Sequence, residues 1–315
     1  MNNKIEQIRQ EVSKVVVGQK HMVDALIIGL LTDGHILLEG VPGLAKTTTI
    51  NALAQSLGLL FSRVQFTPDL LPSDIIGAEI YDMKQNEFKI KKGPVFTNLL
   101  LADEINRAPA KVQSALLEVM QEKQVTIGDK SFKIDLPFLV LATQNPVEQE
   151  GAYSLPEAQL DRFMFKIVIG YNTFDEEYEI AQRVSTNSFG TIDAVLTTNE
   201  LIALKNEVKD VFLDDELKKY IVTLVYASRE PKNYGLVDIE KFIQFGASPR
   251  ATIDMFKAVK AKAFIEGRNH VISEDIIFIA RDIFRHRIIL SYEAEAMKIT
   301  TDELIQRIIT VIPVP

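Results

Sequence analysis

The stretch EGVPGLAKTTT, residues 39–49, decides the fold class. It comes close to G-x-x-x-x-G-K-[ST], the pattern of a loop that binds phosphate groups. Gly40 opens the pattern and Lys46 and Thr47 close it, but Ala45 stands at the position of the last glycine. The stretch follows the strand-like run GHILLEG and precedes a helical pattern with apolar residues on one face. The sequence therefore predicts a strand, a turn rich in glycine and a helix.

A phosphate loop needs converging backbone N–H groups, a helix N-terminus and a lysine beside a hydroxyl. Gly40 and Gly43 allow unusual backbone angles, Pro42 stiffens the turn, and Lys46 and Thr47 supply the charge and the hydroxyl. Ala45 fits if its φ is negative and its methyl group points away from the phosphates. An ordinary strand-turn-helix remains the alternative reading of this stretch taken alone.

Two later strands carry polar residues at their carboxyl ends. LLLADE ends in Asp103 and Glu104, and ATQNP ends its strand at Asn145. One carboxylate at such a position can hold Mg²⁺ while the next orients or deprotonates a water molecule, and an amide can contact a phosphate. A solvated acidic turn and a capping asparagine are the alternative readings of these two strand ends. Each is plausible alone, but the two together with a chance match at residues 40–47 are less plausible than one shared site. The three signals indicate a nucleoside triphosphate site.

Apolar strand runs alternate with helical patterns in the first half of the chain, at residues 34–40, 61–66, 98–104, 137–145 and 163–170. Strands joined through helices predict a parallel sheet covered on both faces. The segment 122–136 instead alternates apolar and polar residues around Gly128-Asp129, which predicts a hairpin, and residues 78–93 look like a similar insertion. After residue 170 the patterns are helical, with a boundary in the polar stretch 185–198. We therefore expect an α/β domain over 1–190 and a helical domain over 191–315.

Composition excludes several classes of protein. The chain has 315 residues, 47% of them hydrophobic, and a net charge of −8 from 35 basic and 43 acidic residues. With no cysteine it has no disulfide scaffold and no thiolate site, and its four histidines have no metal-ligand spacing. A broad nucleic-acid surface is not indicated. Without a signal peptide or a membrane-length apolar run, a soluble cytoplasmic protein is expected.

Longer motifs resemble those of the MoxR family of AAA+ ATPases. They are VVGQ (16–19), GVPGLAKT (40–47), RVQFTPDLLPSDIIG (63–77), GPVFTNLLLADEINRAPAKVQSALLEVMQE (93–122), ATQNPVEQEGAYSLPEAQLDRF (142–163), GASPRA (246–251) and RHRI (285–288). The resemblance covers nearly the whole chain, and Ala45 is usual in that family. It implies a P-loop core with a five-stranded parallel sheet and β-hairpin insertions, followed by a small all-α lid domain.

The resemblance also implies roles for single residues. Lys46 matches the phosphate lysine, Thr47 and Asp103 the magnesium residues, Glu104 the catalytic acid and Asn145 the first sensor. Arg162 matches an arginine finger that reaches the nucleotide of a neighbouring subunit, and Arg250 the second sensor on the lid. The segment near adenine and the phosphate loop complete the ATP site: Val16, Val17, Gly18, Gln19, Gly40, Val41, Pro42, Gly43, Leu44, Ala45, Lys46, Thr47 and Thr48.

From the residues alone, surface salt bridges are the simpler interpretation of Arg162 and Arg250. Ser248 and Pro249 nevertheless look like an N-cap and a first helical residue, which would place Arg250 in a first turn. Arg281, Arg285, His286 and Arg287 could form an anion site, although a polar helix face is the preferred reading.

The resemblance implies a Mg²⁺-dependent ATPase that works as a chaperone-like motor on a protein client. The active form would be a homo-oligomeric ring, expected to be a hexamer, and a partner with a von Willebrand factor A domain is suggested. The alternatives are a nucleic-acid-dependent motor and the motor subunit of a metal-chelatase-like complex. The hairpin at 122–136 has Lys130 and Lys133 but also Asp129 and Asp135, so it has no basic excess for phosphate backbones.

Overall fold

The computed structural model describes residues 2–41, 43–145, 153–186 and 188–315. Their contacts group them into two compact units. The first contains residues 3–156 and 167–202, and the second contains 157–166 and 203–315. The predicted domain boundary near residue 190 stays a prediction. No helix among the described residues is long and apolar enough to span a membrane.

Helices and strands alternate through the first part of the chain, and helices dominate the rest. The strands are β1 Ile36–Glu39, β2 Phe61–Gln65, β3 Gly77–Asp82, β4 Glu87–Lys92, β5 Leu99–Asp103, β6 Gln124–Ile127, β7 Lys130–Lys133, β8 Leu139–Gln144, β9 Phe165–Val168, β10 Ile243–Phe245 and β11 Ile289–Leu290. The helices are α1 Asn2–Ser13, α2 Lys20–Thr32, α3 Lys46–Ser56, α4 Pro72–Ile76, α5 Ala110–Glu122, α6 Glu157–Leu160, α7 Phe174–Thr186, α8 Thr198–Asp210, α9 Asp215–Arg229, α10 Val237–Glu240, α11 Pro249–Ile265, α12 Ser273–Phe284, α13 Tyr292–Ala296 and α14 Thr301–Val311.

Five strands form one sheet in the order β2-β5-β8-β1-β9, which confirms the predicted five-stranded core. The pairs β2–β5, β5–β8 and β8–β1 are parallel. The central strands are apolar along nearly their whole length because helices cover both faces of such a sheet. In a parallel sheet the carboxyl ends of the strands lie at one edge. Gln65 and Asp103 are paired there, and Glu39 is paired with Gln144.

Both predicted insertions are antiparallel hairpins. β6 and β7 pair with Ile127 opposite Lys130, so the two-residue turn is Gly128-Asp129, and Gly128 has φ 58°. β3 and β4 pair from Gly77 opposite Lys92 to Asp82 opposite Glu87. The alternating pattern and the turn residues therefore located these hairpins correctly.

The second unit is helical, and it also carries a two-stranded antiparallel ribbon of β10 and β11 that the helical patterns do not reveal. Helix α11 begins as the sequence indicated, with Ser248 as N-cap and Pro249 as the first residue. Reading 281–287 as a polar helix face is wrong for His286 and Arg287. Both side chains are buried, because Arg287 forms ion pairs with Asp161 and Asp254 and His286 bonds the Phe163 carbonyl.

His35 is a buried neutral imidazole that joins two elements of the first unit. Its Nδ1 accepts from Val140 N–H at 3.0 Å, so its proton is on Nε2, which donates to the Met120 carbonyl at 3.1 Å. Burial lowers the pKa of His35 to about 4 from 6.5. The unfolded chain therefore binds a proton here between these pH values and the folded chain does not.

We expect His35 to make the protein sensitive to acid. A folded pKa below the unfolded one means that stability falls as the pH drops from about 6.5 to about 4, by about 3 kcal/mol in total. Urea unfolding of the wild type and of His35→Gln at pH 7 and pH 5 measures this. The wild type should lose about 2 kcal/mol more than the variant between these two pH values. An equal loss in both proteins would contradict the assignment.

Candidate functional site

The loop after β1 is shaped by residues with positive φ. Gly43 has φ 87°, and a Cβ atom there would meet no heavy atom within 4 Å, so its conformation rather than its surroundings favours glycine. Gly40 lies against Ile169, whose carbonyl oxygen would be 3.0 Å from an added Cβ. Pro42, a predicted loop residue, lies outside the described residues. The loop leads directly into α3, whose first residue is Lys46.

The expectation of a negative φ at Ala45 is wrong. Ala45 has φ 54° and ψ 22°, the left-handed conformation that costs an L-residue about 1–2 kcal/mol. It is the N-cap of α3, and its carbonyl oxygen accepts from both Thr49 N–H and Thr49 Oγ1 at 2.9 Å. The loop thus keeps the backbone shape that glycine would have there, since these two hydrogen bonds fix the carbonyl.

Lys46 extends from the first turn of α3 over the loop. Its Nζ donates to the Gly40 carbonyl at 2.6 Å. Partial burial lowers the pKa of its ammonium group, while attraction from Asp103 and Glu104 raises it. The Lys46 ammonium group is therefore a partly desolvated cation near two carboxylates. An anion that enters the cavity would lie beside this cation.

Asp103 ends β5 with both carboxylate oxygens hydrogen-bonded. Oδ1 accepts from Thr143 Oγ1 at 2.6 Å. Oδ2 accepts from Arg63 Nη2 at 2.6 Å and from Arg63 Nε at 3.1 Å. The carboxylate is thus oriented from the strands on both sides of β5, by β8 and by β2.

Glu104 follows with a left-handed backbone, φ 55°. Its backbone N–H donates to Thr143 Oγ1 at 2.9 Å. The same hydroxyl thus bonds the carboxylate of Asp103 and the backbone of Glu104. Its Oε2 accepts from Gln65 Nε2 at 2.7 Å and from Arg107 Nη1 at 3.0 Å. Strained backbone at a hydrogen-bonded acid is common in functional sites.

These side chains line one cavity of about 440 Å³ in the first unit. It brings together the predicted residues Lys46, Thr47, Asp103, Glu104 and Asn145, the last of which is buried. The complete lining is Gly43, Leu44, Ala45, Lys46, Thr47, Thr48, Arg63, Gln65, Asp103, Glu104, Thr143 and Asn145. A cation from the loop thus faces two acids from the neighbouring part of the sheet.

Sequence reasoning missed Arg63, Gln65 and Thr143. Arg63 and Gln65 are two residues apart in FSRVQF, so they point to one face of β2, and Arg63 Nη2 donates to Gln65 Oε1 at 3.0 Å. Polar residues at alternating positions near a strand's carboxyl end were the available signal. Thr143 stands two residues before Asn145 and directly after the buried apolar residues 139–142 of β8, where a buried hydroxyl requires partners.

The predicted segment 16–19 lies at a second, smaller cavity. Val16 and Val17 are buried, Gly18 and Gln19 have φ 71° and 54°, and Gln19 Nε2 donates to Asn172 Oδ1 at 3.0 Å. The cavity has about 210 Å³ and is lined by Gln19, His21, Met22, Ile167, Val168, Ile169, Gly170, Tyr171, Asn172 and Glu176. Ile169 also contacts Gly40, so the wall of this cavity adjoins the start of the phosphate loop.

The donor chemistry of the larger cavity fits a magnesium nucleotide. Thr47 and Asp103 supply a hydroxyl and a carboxylate, which are the hard oxygen ligands that Mg²⁺ prefers. The described residues contain no group of three or more histidine, cysteine or acidic side chains that could hold a metal ion. A site with one carboxylate is typical of magnesium that arrives with substrate phosphates.

Arg162 and Arg250 belong to the second unit. Arg162 is exposed, and within the described ranges its guanidinium has no hydrogen-bond or ion-pair partner. Arg250 stands in the first turn of α11, where its N–H donates to the N-cap Ser248 at 3.2 Å and its Nη1 lies 3.3 Å from Asp161 Oδ2. The salt-bridge interpretation therefore describes Arg250 in this structure and does not describe Arg162.

Comparison with known proteins places the chain among ATPases. A family model described as "ATPase family associated with various cellular activities (AAA)" matches residues 35–165, and one for the AAA lid domain matches 238–308. The chain is 47% identical to "Chaperone MoxR1" of Mycobacterium tuberculosis, over 97% of this chain and 81% of that protein. It is 29% identical to "Protein MoxR" of Methylorubrum extorquens, over 97% and 94%. A putative ATPase from Cytophaga hutchinsonii has a similar solved structure, with TM-score 0.95 and 54% identity, covering 100% of this chain and 96% of that one.

Proposed function

Because the chain belongs to the MoxR family of AAA+ ATPases, we propose that it couples Mg²⁺-dependent ATP hydrolysis to the remodelling, assembly or activation of a partner protein. The observation that carries the proposal is the shared cavity of the loop lysine and the two acids that end β5. Lys46, at a helix N-terminus, shares the cavity with two carboxylates, which is the arrangement that a nucleotide polyphosphate with its metal ion requires.

Each of the five predicted residues that line the cavity has a part in this reaction. Lys46 binds the terminal phosphates, and Thr47 with Asp103 would hold magnesium, which when bound neutralises phosphate charge and orients it for attack. Glu104 accepts the proton of the attacking water or orients that water, and Asn145 positions it against the phosphate. The segment Val16–Gln19 at the adjoining smaller cavity would contact the adenine.

Hydrogen bonds from neighbouring side chains orient the two carboxylates before substrate binds. Arg63 and Thr143 fix the Asp103 carboxylate, while Gln65 and Arg107 hold that of Glu104. A carboxylate fixed before substrate arrives loses little freedom on binding.

Loss of Lys46 tests the site directly. Lys46→Ala removes the only phosphate-facing charge that the loop supplies, so tight ATP binding should be lost. Binding is measured by competition against a fluorescent ATP analogue with magnesium present. Lys219→Ala, an exposed lysine on α9, is the matched control and should bind as the wild type does. Undiminished binding by Lys46→Ala would overturn the proposal.

Exposed apolar side chains on the hairpin β3–β4 favour a protein client over nucleic acid. The hairpin β3–β4 exposes large apolar side chains, above all Met83 at 87% and Phe88 at 69%. Such groups bind apolar protein surface better than phosphate backbones. Family resemblance extends the proposal to a partner with a von Willebrand factor A domain and to a ring of six copies. A nucleic-acid-dependent motor and a metal-chelatase motor subunit are the alternatives.

The hairpin β6–β7 allows a separation of client binding from hydrolysis. Its Val125, Ile127 and Ile134 are buried, so replacing all of residues 125–134 would remove core side chains. Changing only the exposed tip, Asp129 to Ser131, into a Gly-Ser turn avoids this. This variant should keep basal phosphate release and lose client-dependent stimulation.

The client needed for that comparison can be captured with a Glu104→Gln protein kept in ATP. Proteins recovered by the trap, and lost when the tip is also changed, are the candidates for stimulation. Loss of ATP binding in the tip variant would show that the hairpin is structural. Recovery of the same client by both proteins would assign client binding to another surface.

A further inference from the structure

One face of helix α7 is attached to the rest of the first unit. Arg183 Nη1 donates to the carbonyl of Ser13, the last residue of α1, at 3.0 Å. The Glu176 carboxylate lies against Gly18, where an added Cβ atom would be 2.5 Å from Oε1. Glu176, Ile180 and Arg183 have the spacing i, i+4 and i+7, and all three are partly buried. They form the inner face of the helix.

The opposite face of α7 is apolar and open. Phe174 is 84% exposed, Tyr178 is 62% exposed, and Ala181 is exposed as well. These three residues also have the spacing i, i+4 and i+7, so they form a row, here called the α7 stripe, on the side away from the inner face. Single exposed apolar residues are common, but a row of them opposite the attached face of a helix indicates an interaction surface.

Acidic side chains flank the α7 stripe on both sides. Asp175 and Glu177 are exposed, and within the described part of the chain neither has an ion-pair partner. At 100° per residue they lie on opposite sides of the line from Phe174 to Tyr178. The helix dipole favours acids in a first turn, which accounts for their charge but not for the aromatic residues between them. The surface is therefore an apolar row with a negative rim.

A short basic segment fits this surface better than a second copy of the chain does. The α7 stripe is only about 10 Å long, whereas a stable dimer buries about 800 Å² on each partner. Packing two such stripes together would also bring the acids of both copies close to one another, which is unfavourable. Lysine or arginine side chains beside apolar ones would instead pair with Asp175 and Glu177 while the apolar groups cover the stripe.

We propose that the α7 stripe is a docking site for a basic amphipathic helix of a partner protein. The inference goes beyond the proposed ATPase function, and it can be tested without nucleotide. Glu176 of the inner face also lines the smaller cavity, so the partner would bind to a helix that forms part of the wall of that cavity.

The test uses a fluorescently labelled amphipathic peptide of leucine and lysine, and its binding is followed by fluorescence anisotropy. Replacing Phe174 and Tyr178 together by serine should weaken binding at least about tenfold, as loss of central aromatic contacts does. Met83→Ser with Phe88→Ser, which removes two exposed apolar side chains of the hairpin β3–β4, is the matched control and should bind as the wild type does. Unchanged binding by the α7 variant would overturn the inference.

Charge reversal tests the acidic rim. Asp175→Lys with Glu177→Lys should weaken binding of the same peptide, more at low salt than at high salt. Glu118→Lys with Glu122→Lys makes the same change of charge at exposed positions on α5 and should have little effect. An equal loss in both variants would mean attraction to the net charge of the protein and would overturn the inference. Equally tight binding of a leucine and glutamate peptide would do so too.

A labelling experiment keeps both faces of α7 intact in case these variants do not fold. The chain has no cysteine, so Ala181→Cys provides a single site for a dye whose emission shifts to the blue in apolar surroundings. Saturating leucine-lysine peptide should shift the emission there and leave it unchanged for the same dye at Lys219→Cys, an exposed position on α9. No shift at Ala181→Cys would overturn the inference.

Light scattering of the protein without peptide examines the other possible occupant. The wild type and the variant with serine at positions 174 and 178 should have the same mass at each concentration. Self-association of the wild type that this variant lacks would assign the α7 stripe to a second copy and would overturn the inference.

Discussion

Glu104→Gln should bind ATP as the wild type does and hydrolyse it about 10²–10⁴-fold more slowly, the usual effect of removing a general base. The glutamine side chain has the same size, and its oxygen can still accept from Gln65 or Arg107, which now hold Oε2. What it loses is the ability to accept a proton. The loop, Lys46 and Asp103 are untouched, so binding and turnover should separate.

Two measurements check this expectation on the same protein. Equilibrium binding of a fluorescent ATP analogue reports the intact cavity, and phosphate release reports turnover. Glu118→Gln, at an exposed position on α5, is the matched control and should match the wild type in both. Turnover at the normal rate by Glu104→Gln would remove Glu104 from its assigned role, whatever the binding shows.

The sheet could be predicted because burial on both faces leaves its mark on sequence. β1, β5 and β8 have to be apolar at nearly every position, so their runs are unmistakable, and the polar residues that follow them mark the carboxyl edge. Asp103, Glu104 and Asn145 were found by this reasoning and Lys46 by the loop pattern that follows β1, and the structure brings all four to one cavity.

The side chains that hold these acids could not be predicted in the same way. Arg63 and Gln65 lie on the edge strand β2, and their partners depend on β2 lying next to β5, although β3 and β4 come between them in the chain. Sequence order does not give that adjacency. Thr143 is likewise a contact between neighbouring strands, and its hydroxyl gives no periodic signal.

Ala45 shows the limit of conformational preference as evidence. A negative φ is favoured for alanine by about 1–2 kcal/mol, yet two hydrogen bonds from Thr49 to its carbonyl oxygen hold the left-handed form. The hydrogen bonds at the start of α3 thus outweigh the steric preference of alanine for a negative φ. The burial of Arg287 is a similar case, since two distant carboxylates neutralise it.

Arg162→Ala should bind ATP nearly normally and hydrolyse it about 10³–10⁵-fold more slowly, as expected for loss of an arginine that stabilises transferring phosphate. Arg162 is exposed, and its guanidinium has no partner in the part of the chain that the structure describes. It directly follows Asp161, whose carboxylate forms an ion pair with the buried Arg287. Arg162→Lys, which keeps the charge and loses the planar fork, should recover only part of the rate.

An arginine finger that acts on a neighbouring subunit also predicts how mixtures of two inactive variants behave. If Arg162 is that finger, Lys46→Ala would have an inactive pocket and an intact finger, and Arg162→Ala would have the reverse. Head-to-tail interfaces that close into a ring would pair the good pocket of one protein with the good finger of the other. Titrating one variant into the other should therefore raise phosphate release above the sum of the separate rates, with a maximum at intermediate ratios. A mixture that assembles, as light scattering would show, but never exceeds that sum would mean that each subunit completes its own site.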